Sequence, residues 1–397
     1  MSAASPQDLF APAQLGGLAL RNRVLKAATF EGMTPGGVPG QRLIDFHRRI
    51  TEGGVALNTV AYCAVEPDGR IAAHMMWMNE GIRAELERLT AAVHEAGGRI
   101  SGQMGHCGGL SKNRALVRRR PIGPSRGLNA LGLAYGLPFV RAMRLADIDQ
   151  LVADFGRAAG LMKSVGFDAV EVHFGHGYAL SQFISPKTNH RTDEYGGSLR
   201  NRMRLPLRVL EAVREAVGEA FPILGKISMM DGVHGGIRLE DALEVAALLD
   251  SGGLDAIIPS GGTSSHNPML LFRGDSMLPA MLEVERNPIL RLGLRMAGKR
   301  FFREYPYEEL YFLDDARRIR DRVRCKVAYI GGITTRESLE KALAEFDFVQ
   351  LGRALVKDPA MVRHLQQDPT YKNGCTHCNR CAALIDHPDG IRCVLED

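Results

Sequence analysis

Eight short apolar runs, each followed by an amphipathic segment, set the tightest limit on what this chain can fold into. The runs are Arg23–Thr29, Val55–Tyr62, Arg99–Met104, Ala169–Phe174, Ile223–Met229, Ala256–Ser260, Lys326–Ile330 and Phe348–Leu351. Helical patterns follow near residues 41–53, 80–97, 147–165, 200–219, 239–251, 308–323, 335–345 and 358–367. In the third, Ile148, Leu151, Phe155, Ala158, Ala159 and Met162 recur at three- and four-residue steps, the period of a helix with one apolar face. Strand–helix alternation implies right-handed crossovers and a parallel sheet. Eight such units close a (β/α)8 TIM barrel, an α/β fold. An open doubly wound sheet is the competing arrangement. It carries a Gly-rich phosphate turn after its first strand, where this chain reads Lys26-Ala27-Ala28-Thr29.

The 397 residues divide on this reading into a barrel over 1–367 and a Cys-rich tail over 368–397. Segments 105–146 and 261–306 are too long for plain βα loops. Both follow strands, so both belong at the C-terminal face, where barrels build active sites. The second is rich in Leu, Met and Phe, as expected of a lid, a partner surface or an excursion packed on the barrel. A net charge of +5 without a Lys/Arg tract argues against nucleic acid as a partner. No run approaches the roughly 18 apolar residues of a membrane span. Met1–Gln14 lacks a basic stretch followed by an apolar one, so a cytoplasmic protein is expected, with thiols in place of structural disulfides.

The densest chemical signal leaves the fourth strand: Glu171-Val172-His173-Phe174-Gly175-His176-Gly177-Tyr178. Two histidines can donate two hydrogen bonds to one carbonyl oxygen and hold developing negative charge. Gly175 and Gly177 allow a sharp turn between them, and Tyr178 can supply a proton. A metal would need a third ligand at metal spacing, and none stands nearby.

The longer run from His173 through Gln182-Phe183, Ser185-Pro186, Asn189, Arg191-Thr192-Asp193-Glu194-Tyr195-Gly196-Gly197-Ser198-Leu199 to Asn201-Arg202 resembles the signature of the Old Yellow Enzyme family of FMN-dependent oxidoreductases. The resemblance extends from about Leu18 through Asp358. It implies an NAD(P)H-dependent ene-reductase acting on an activated C=C bond in an enone, enoate or enoyl thioester. His173 and His176 would hold the activating oxygen, and Tyr178 would protonate the adjacent carbon. Ala27, Ala28 and Thr29 match the segment beside the flavin ring, and Gln103 matches the glutamine at its pyrimidine edge. Lys226 stands where the family has a cation near flavin N1, which would stabilise the anionic reduced ring. Gly331, Gly332, Gly352 and Arg353 match the phosphate site, a role that glycine-turn N–H groups and an arginine suit. Two positions depart from the pattern: Phe30 stands where many members have a Thr or Cys bonding the ring, and the turn after the third strand ends in Gly108-Gly109 where many have Arg. Cys107 in that turn reads as a bystander. A homo-oligomer is expected.

Four of the seven cysteines crowd the tail as Cys375-x2-Cys378-x2-Cys381-x11-Cys393. Such spacing suits thiolates converging on one ion or cluster. The branch of the family containing 2,4-dienoyl-CoA reductase and trimethylamine dehydrogenase has a similar set for a [4Fe-4S] cluster, with one residue more between its second and third cysteines. A [4Fe-4S] cluster, zinc and metal-free thiols all remain open. Those relatives continue into nucleotide-binding domains, so an electron-transfer protein partner working through the tail is an alternative to direct reduction by NAD(P)H. The same branch raises an amine or N-methyl dehydrogenase as the rival activity. That chemistry needs an aromatic cage for a cation, and the chain has a single tryptophan, Trp77.

Overall fold

A computed structural model describes residues 8–395. Eight parallel strands close into a barrel in chain order: β1 (Val24–Lys26), β2 (Leu57–Ala64), β3 (Arg99–Gly105), β4 (Ala169–His173), β5 (Ile223–Ser228), β6 (Ala256–Ser260), β7 (Lys326–Ile330) and β8 (Phe348–Leu351). The outer ring is α1 (Gln41–Glu52), α2 (Arg83–Glu95), α3 (Leu145–Ser164), α4 (Arg204–Val217), α5 (Leu239–Ser251), α6 (Leu313–Arg320), α7 (Arg336–Leu343) and α8 (Met361–Gln367). The alternation thus reports the fold directly. In α3 the apolar stripe is buried as its period requires, and Asp147 closes the first turn by accepting the Arg144 N–H at 2.7 Å.

The barrel interior is filled at its N-terminal end by Leu25, Leu57, Leu224, Ile258 and Phe348, with Ala169, Ala256 and Ala328 leaving room between them. A hairpin ahead of β1, Ala13–Leu15 paired with Leu18–Leu20, pushes Leu15 and Leu20 into that layer and plugs the bottom. The opposite end is open, and everything chemical gathers there.

Three sequence expectations change in detail. The first strand ends at Lys26; Ala27 still donates its N–H to Leu351 O at 2.8 Å, and Ala28-Thr29 then leave the sheet along the barrel mouth. The helix expected over 308–323 begins only at Leu313, because Leu310 adopts a left-handed conformation (φ 60°) and donates its N–H to Gly332 O at 2.7 Å. The long segments are also structured. Residues 105–146 form a small sheet from Ile122–Gly123, Gly127–Leu128 and Phe139–Ala142. Residues 261–306 form three helices, Met269–Phe272, Leu278–Val284 and Pro288–Phe301. Asn287 caps the last, accepting the N–H groups of Ile289 (3.0 Å) and Leu290 (3.2 Å). It also donates to Ala134 O at 3.1 Å, joining the two segments into one roof.

The cysteine tail lies against the barrel mouth. Asn373 N–H donates to Thr334 O at 2.9 Å, and Ile391 N–H to Glu31 O at 2.8 Å. Arg353 donates to Asn379 Oδ1, and Lys112 pairs with Asp386.

Candidate active site

A cavity of about 940 Å³ opens between the barrel mouth and the roof. Ala27, Ala28, Thr29, Gln103 and Lys226 line it, as do Gly331, Gly332, Gly352 and Arg353. So do His173, His176 and Tyr178. Every barrel residue given a substrate or flavin role from the sequence therefore lies on one wall.

The floor is a buried polar layer set by strand register, which pairs Gln103 with Glu171 and Lys226 with His173. Glu171 is fully buried. Its Oε1 accepts from Gln103 Nε2 at 2.7 Å and pairs with Lys226 Nζ at 2.9 Å, while Oε2 accepts from Gln350 Nε2 at 2.9 Å. The sequence reading missed Glu171 and Gln350. The available signal was a charged residue two positions before His173, hence on the same strand face. A second buried pair lies beside it: Lys26 Nζ to Glu31 Oε1 at 2.8 Å, with Glu31 Oε2 accepting the Ala61 N–H at 3.1 Å.

His176 sits in a left-handed conformation (φ 58°) that costs a non-glycine residue about 1–2 kcal/mol. Its surroundings hold it there: His176 N–H donates to Ser228 Oγ (2.8 Å), and its carbonyl accepts from Ser264 N–H (2.9 Å). Gly177 also turns left-handed. Gly175 does not; it is needed for close approach, since a Cβ there would stand 3.0 Å from Ser228 N and Ile227 C. The His173 and His176 rings meet edge-on, centroids 5.0 Å apart, with the Tyr178 ring 4.6 Å from His173 and 5.3 Å from Tyr62.

A backbone donor sets the tautomer of one ring, and a hydroxyl that can donate or accept faces the other. Gly175 N–H points at His173 Nδ1 (3.4 Å), leaving Nε2–H as the free donor of that ring. His176 Nε2 lies 2.8 Å from Ser260 Oγ. With that hydroxyl donating, Nδ1–H is the free donor of the second ring. Burial holds the His173 ring well below the usual histidine range, with the neighbouring His176 and Lys226 adding to the effect. Burial and Lys226 bring His176 down to about 3. Both rings are neutral donors near neutral pH. Burial also raises the Tyr178 phenol, so it keeps its proton. Cys107 is buried, and burial pushes its thiol up, which leaves it inert.

Over the cavity the helix Pro288–Phe301 turns Leu290, Leu294, Ala297 and Phe301 inward. Its opposite face leaves Ile289, Leu292 and Met296 exposed. Trp77 is not on the cavity wall; it lies under the Arg157 guanidinium, 5.9 Å from its ring, beside a separate groove.

In the tail, Cys375, Cys378, Cys381 and Cys393 are all half-buried free thiols, and Cys381 reaches the cavity wall. Burial pushes Cys381 up to about 11; Arg353 pulls it back, and the other three tail thiols add to the rise. Among the described residues, however, no three His, Cys, Asp or Glu side chains are arranged to hold a metal ion.

Residues 8–262 match the NADH:flavin oxidoreductase / NADH oxidase family. The chain belongs to this family. It is a flavin-dependent oxidoreductase. It is 42% identical to a 4,4'-dithiodibutanoate disulfide reductase of Rhodococcus erythropolis, over 100% of this chain and 97% of that protein. It is 29% identical to an NADH oxidase of Thermoanaerobacter brockii, over 94% of this chain but 53% of that one. Among solved structures, histamine dehydrogenase from Rhizobium sp. 4-9 superimposes with a TM-score of 0.80 at 21% identity, over 98% of this chain and 52% of that one. Morphinone reductase in complex with tetrahydroNAD gives 0.70 at 24% identity, over 93% of each chain. At these identities the structures speak for the fold.

The cavity fits the FMN that the family implies. Thr29 Oγ1 and Gln350 Oε1 are buried on its wall without a hydrogen-bond partner. Both are polar atoms that a ring rich in donors and acceptors would satisfy. Thr29 thus brings a hydroxyl to the cavity wall although Phe30 occupies the position where the family pattern has one. A Cβ on Gly352 would touch Thr29 (3.6 Å) and Ala27 (3.9 Å), so that backbone stands against the segment on the same cavity wall. Among the described residues no helix is long and apolar enough to cross a membrane.

Proposed function

We propose that this oxidoreductase reduces an activated C=C bond of an unsaturated carbonyl compound, with FMN as its cofactor and NAD(P)H as donor. The carrying observation is the meeting of two neutral histidine donors with a protonated tyrosine above a buried, ion-paired floor. Gln103 and Lys226 would hold the ring's pyrimidine edge, with Glu171 fixing both. Gly331, Gly332, Gly352 and Arg353 would hold the phosphate. Bound FMN supplies the hydride. His173 Nε2–H and His176 Nδ1–H then hold the substrate oxygen, where charge builds as the double bond is polarised. Tyr178 gives its proton to the α-carbon, and the roof excludes water from the site.

Anaerobic mixing of the reduced enzyme with 2-cyclohexenone tests this reading. Tyr178→Phe should slow reoxidation by about 10²- to 10⁴-fold and leave reduction by NAD(P)H unchanged. Unaltered reoxidation would sink the proton-donor assignment. Disulfide reduction is a second reading, favoured by the 42% identical relative named for that activity. Cleaving a disulfide yields thiolates and needs no proton at carbon, so Tyr178→Phe would leave it intact. For the amine dehydrogenase reading the cage lacks Trp77, since that ring is off the cavity wall. For the tail we keep a [4Fe-4S] cluster, with zinc as the alternative, on the strength of the cysteine spacing alone. Iron, labile sulfide and zinc assays on the purified protein decide between them.

A further inference from the structure

The cavity has two unlike ends. Under the roof it is apolar, walled by Met281, Leu290, Leu294 and Phe301. At its mouth stand four basic side chains, Arg126, Lys187, His190 and His266, all exposed and all on the wall. Three observations bring them together. Lys187 and His190 follow the helix Ala179–Ile184 that Tyr178 begins. His190 N–H donates to Ser125 Oγ at 2.8 Å, and Arg191 to Pro124 O at 3.1 Å, pinning that loop beside Arg126. The Lys187 charge acts on His266, adding to the partial desolvation of its ring in holding it below its ordinary range. Among the described residues none of the four is in an ion pair. The acidic groups on the same wall are already engaged: Asp386 by Lys112, and Glu285 by the Asn287 N–H at 2.6 Å. Arg126 and Lys187 put two positive charges at the entrance of an apolar cavity, with the His190 and His266 rings beside them and, among the described residues, no ion-pair partner; an anionic ligand relieves them. The rim also adjoins the reacting groups. Ser265 Oγ holds His266 Nδ1 at 2.6 Å, and the next residue, Ser264, donates its N–H to His176 O.

We infer that Arg126, Lys187, His190 and His266 form an anion subsite that seats a carboxylate or phosphate on the oxidising substrate, whose apolar body lies under the roof. This deepens the proposed activity by naming its substrate class, and it rests on that reading only for the word substrate. The test therefore uses binding without turnover.

Calorimetric titration of the oxidised, flavin-loaded enzyme would use 4-phenylbutanoate, 3-phenylpropyl phosphate and the neutral 4-phenylbutanamide. In the R126Q/K187Q variant, both substitutions lying at exposed positions, affinity for an anion should fall by about threefold to tenfold. Affinity for the amide should hold, and the difference should shrink as salt is raised. Loss for the carboxylate alone or the phosphate alone supports the subsite and says which group it reads. Equal losses for anion and amide overturn the inference. A loss confined to titration with NADPH also overturns it, by assigning the rim to the donor. Failure of enone reduction would leave these binding results standing, so the two readings fail separately.

Discussion

Replacing Glu171 by glutamine removes the one negative charge from the floor of the cavity. The carboxylate is fully buried and accepts from Gln103 and Gln350 while pairing with Lys226 at 2.9 Å. Glu171→Gln leaves the Lys226 ammonium buried without a counter-charge, and the new amide turns an N–H toward groups that are themselves donors. Breaking a buried pair from one side costs about 3–5 kcal/mol. Lys226→Met strands the carboxylate instead and should cost a similar amount. Removing both charges in E171Q/K226M avoids the stranded ion, because a buried pair is close to neutral in stability against an apolar replacement. The double variant should therefore be more stable than either single one, with a coupling of at least about 3 kcal/mol. Urea unfolding followed by far-UV circular dichroism, with FMN at one fixed concentration, reads all four proteins. Additive losses would refute the argument, as would an E171Q loss below about 1 kcal/mol. Either result would mean that water or a neighbouring group compensates the floor charge.

Two further outcomes follow from the same geometry. His176 titrates near 3 in the fold against an ordinary 6.5, so the unfolded chain binds the extra proton first. Its contribution to stability is full above pH 6.5 and is lost as pH falls toward about 3. His176→Asn should therefore flatten the fall in stability across that window, and parallel wild-type and variant curves would contradict the assignment. At the phosphate turn, Gly332 is left-handed (φ 76°), and a Cβ there would stand 2.7 Å from Glu308 O. Gly332→Ala should lose its flavin on gel filtration under conditions where the wild type keeps it; equal flavin-to-protein ratios would argue against that turn holding the phosphate.

The barrel was legible because each of its units declares itself locally, by an apolar run and then a 3.6-residue period. The histidine–tyrosine cluster was legible for the same reason: its members lie within six positions of one another. What escaped the sequence depends on pairs far apart in the chain. Glu171 gains its meaning from Gln103, Lys226 and Gln350, which only strand register brings to one level. The helix expected from residue 308 failed because Leu310 is drawn out of helical geometry to hold Gly332. Thr29 was placed beside the flavin from the sequence, but at the end of a strand; the sheet's end at Lys26 is what brings its hydroxyl to the cavity wall. The rim was invisible because Arg126, Lys187 and His266 come from three different βα segments.

The tail's attachment bears on how the protein is made. Residues 373–391 leave the ribosome after all eight strands. Yet they supply hydrogen bonds to Thr334 and Glu31, a partner to Arg353 and a counter-charge to Lys112. A nascent barrel can close its sheet and still lack one wall of its cavity. The wall that the cysteine segment forms is thus closed only after the barrel's last strand has been made.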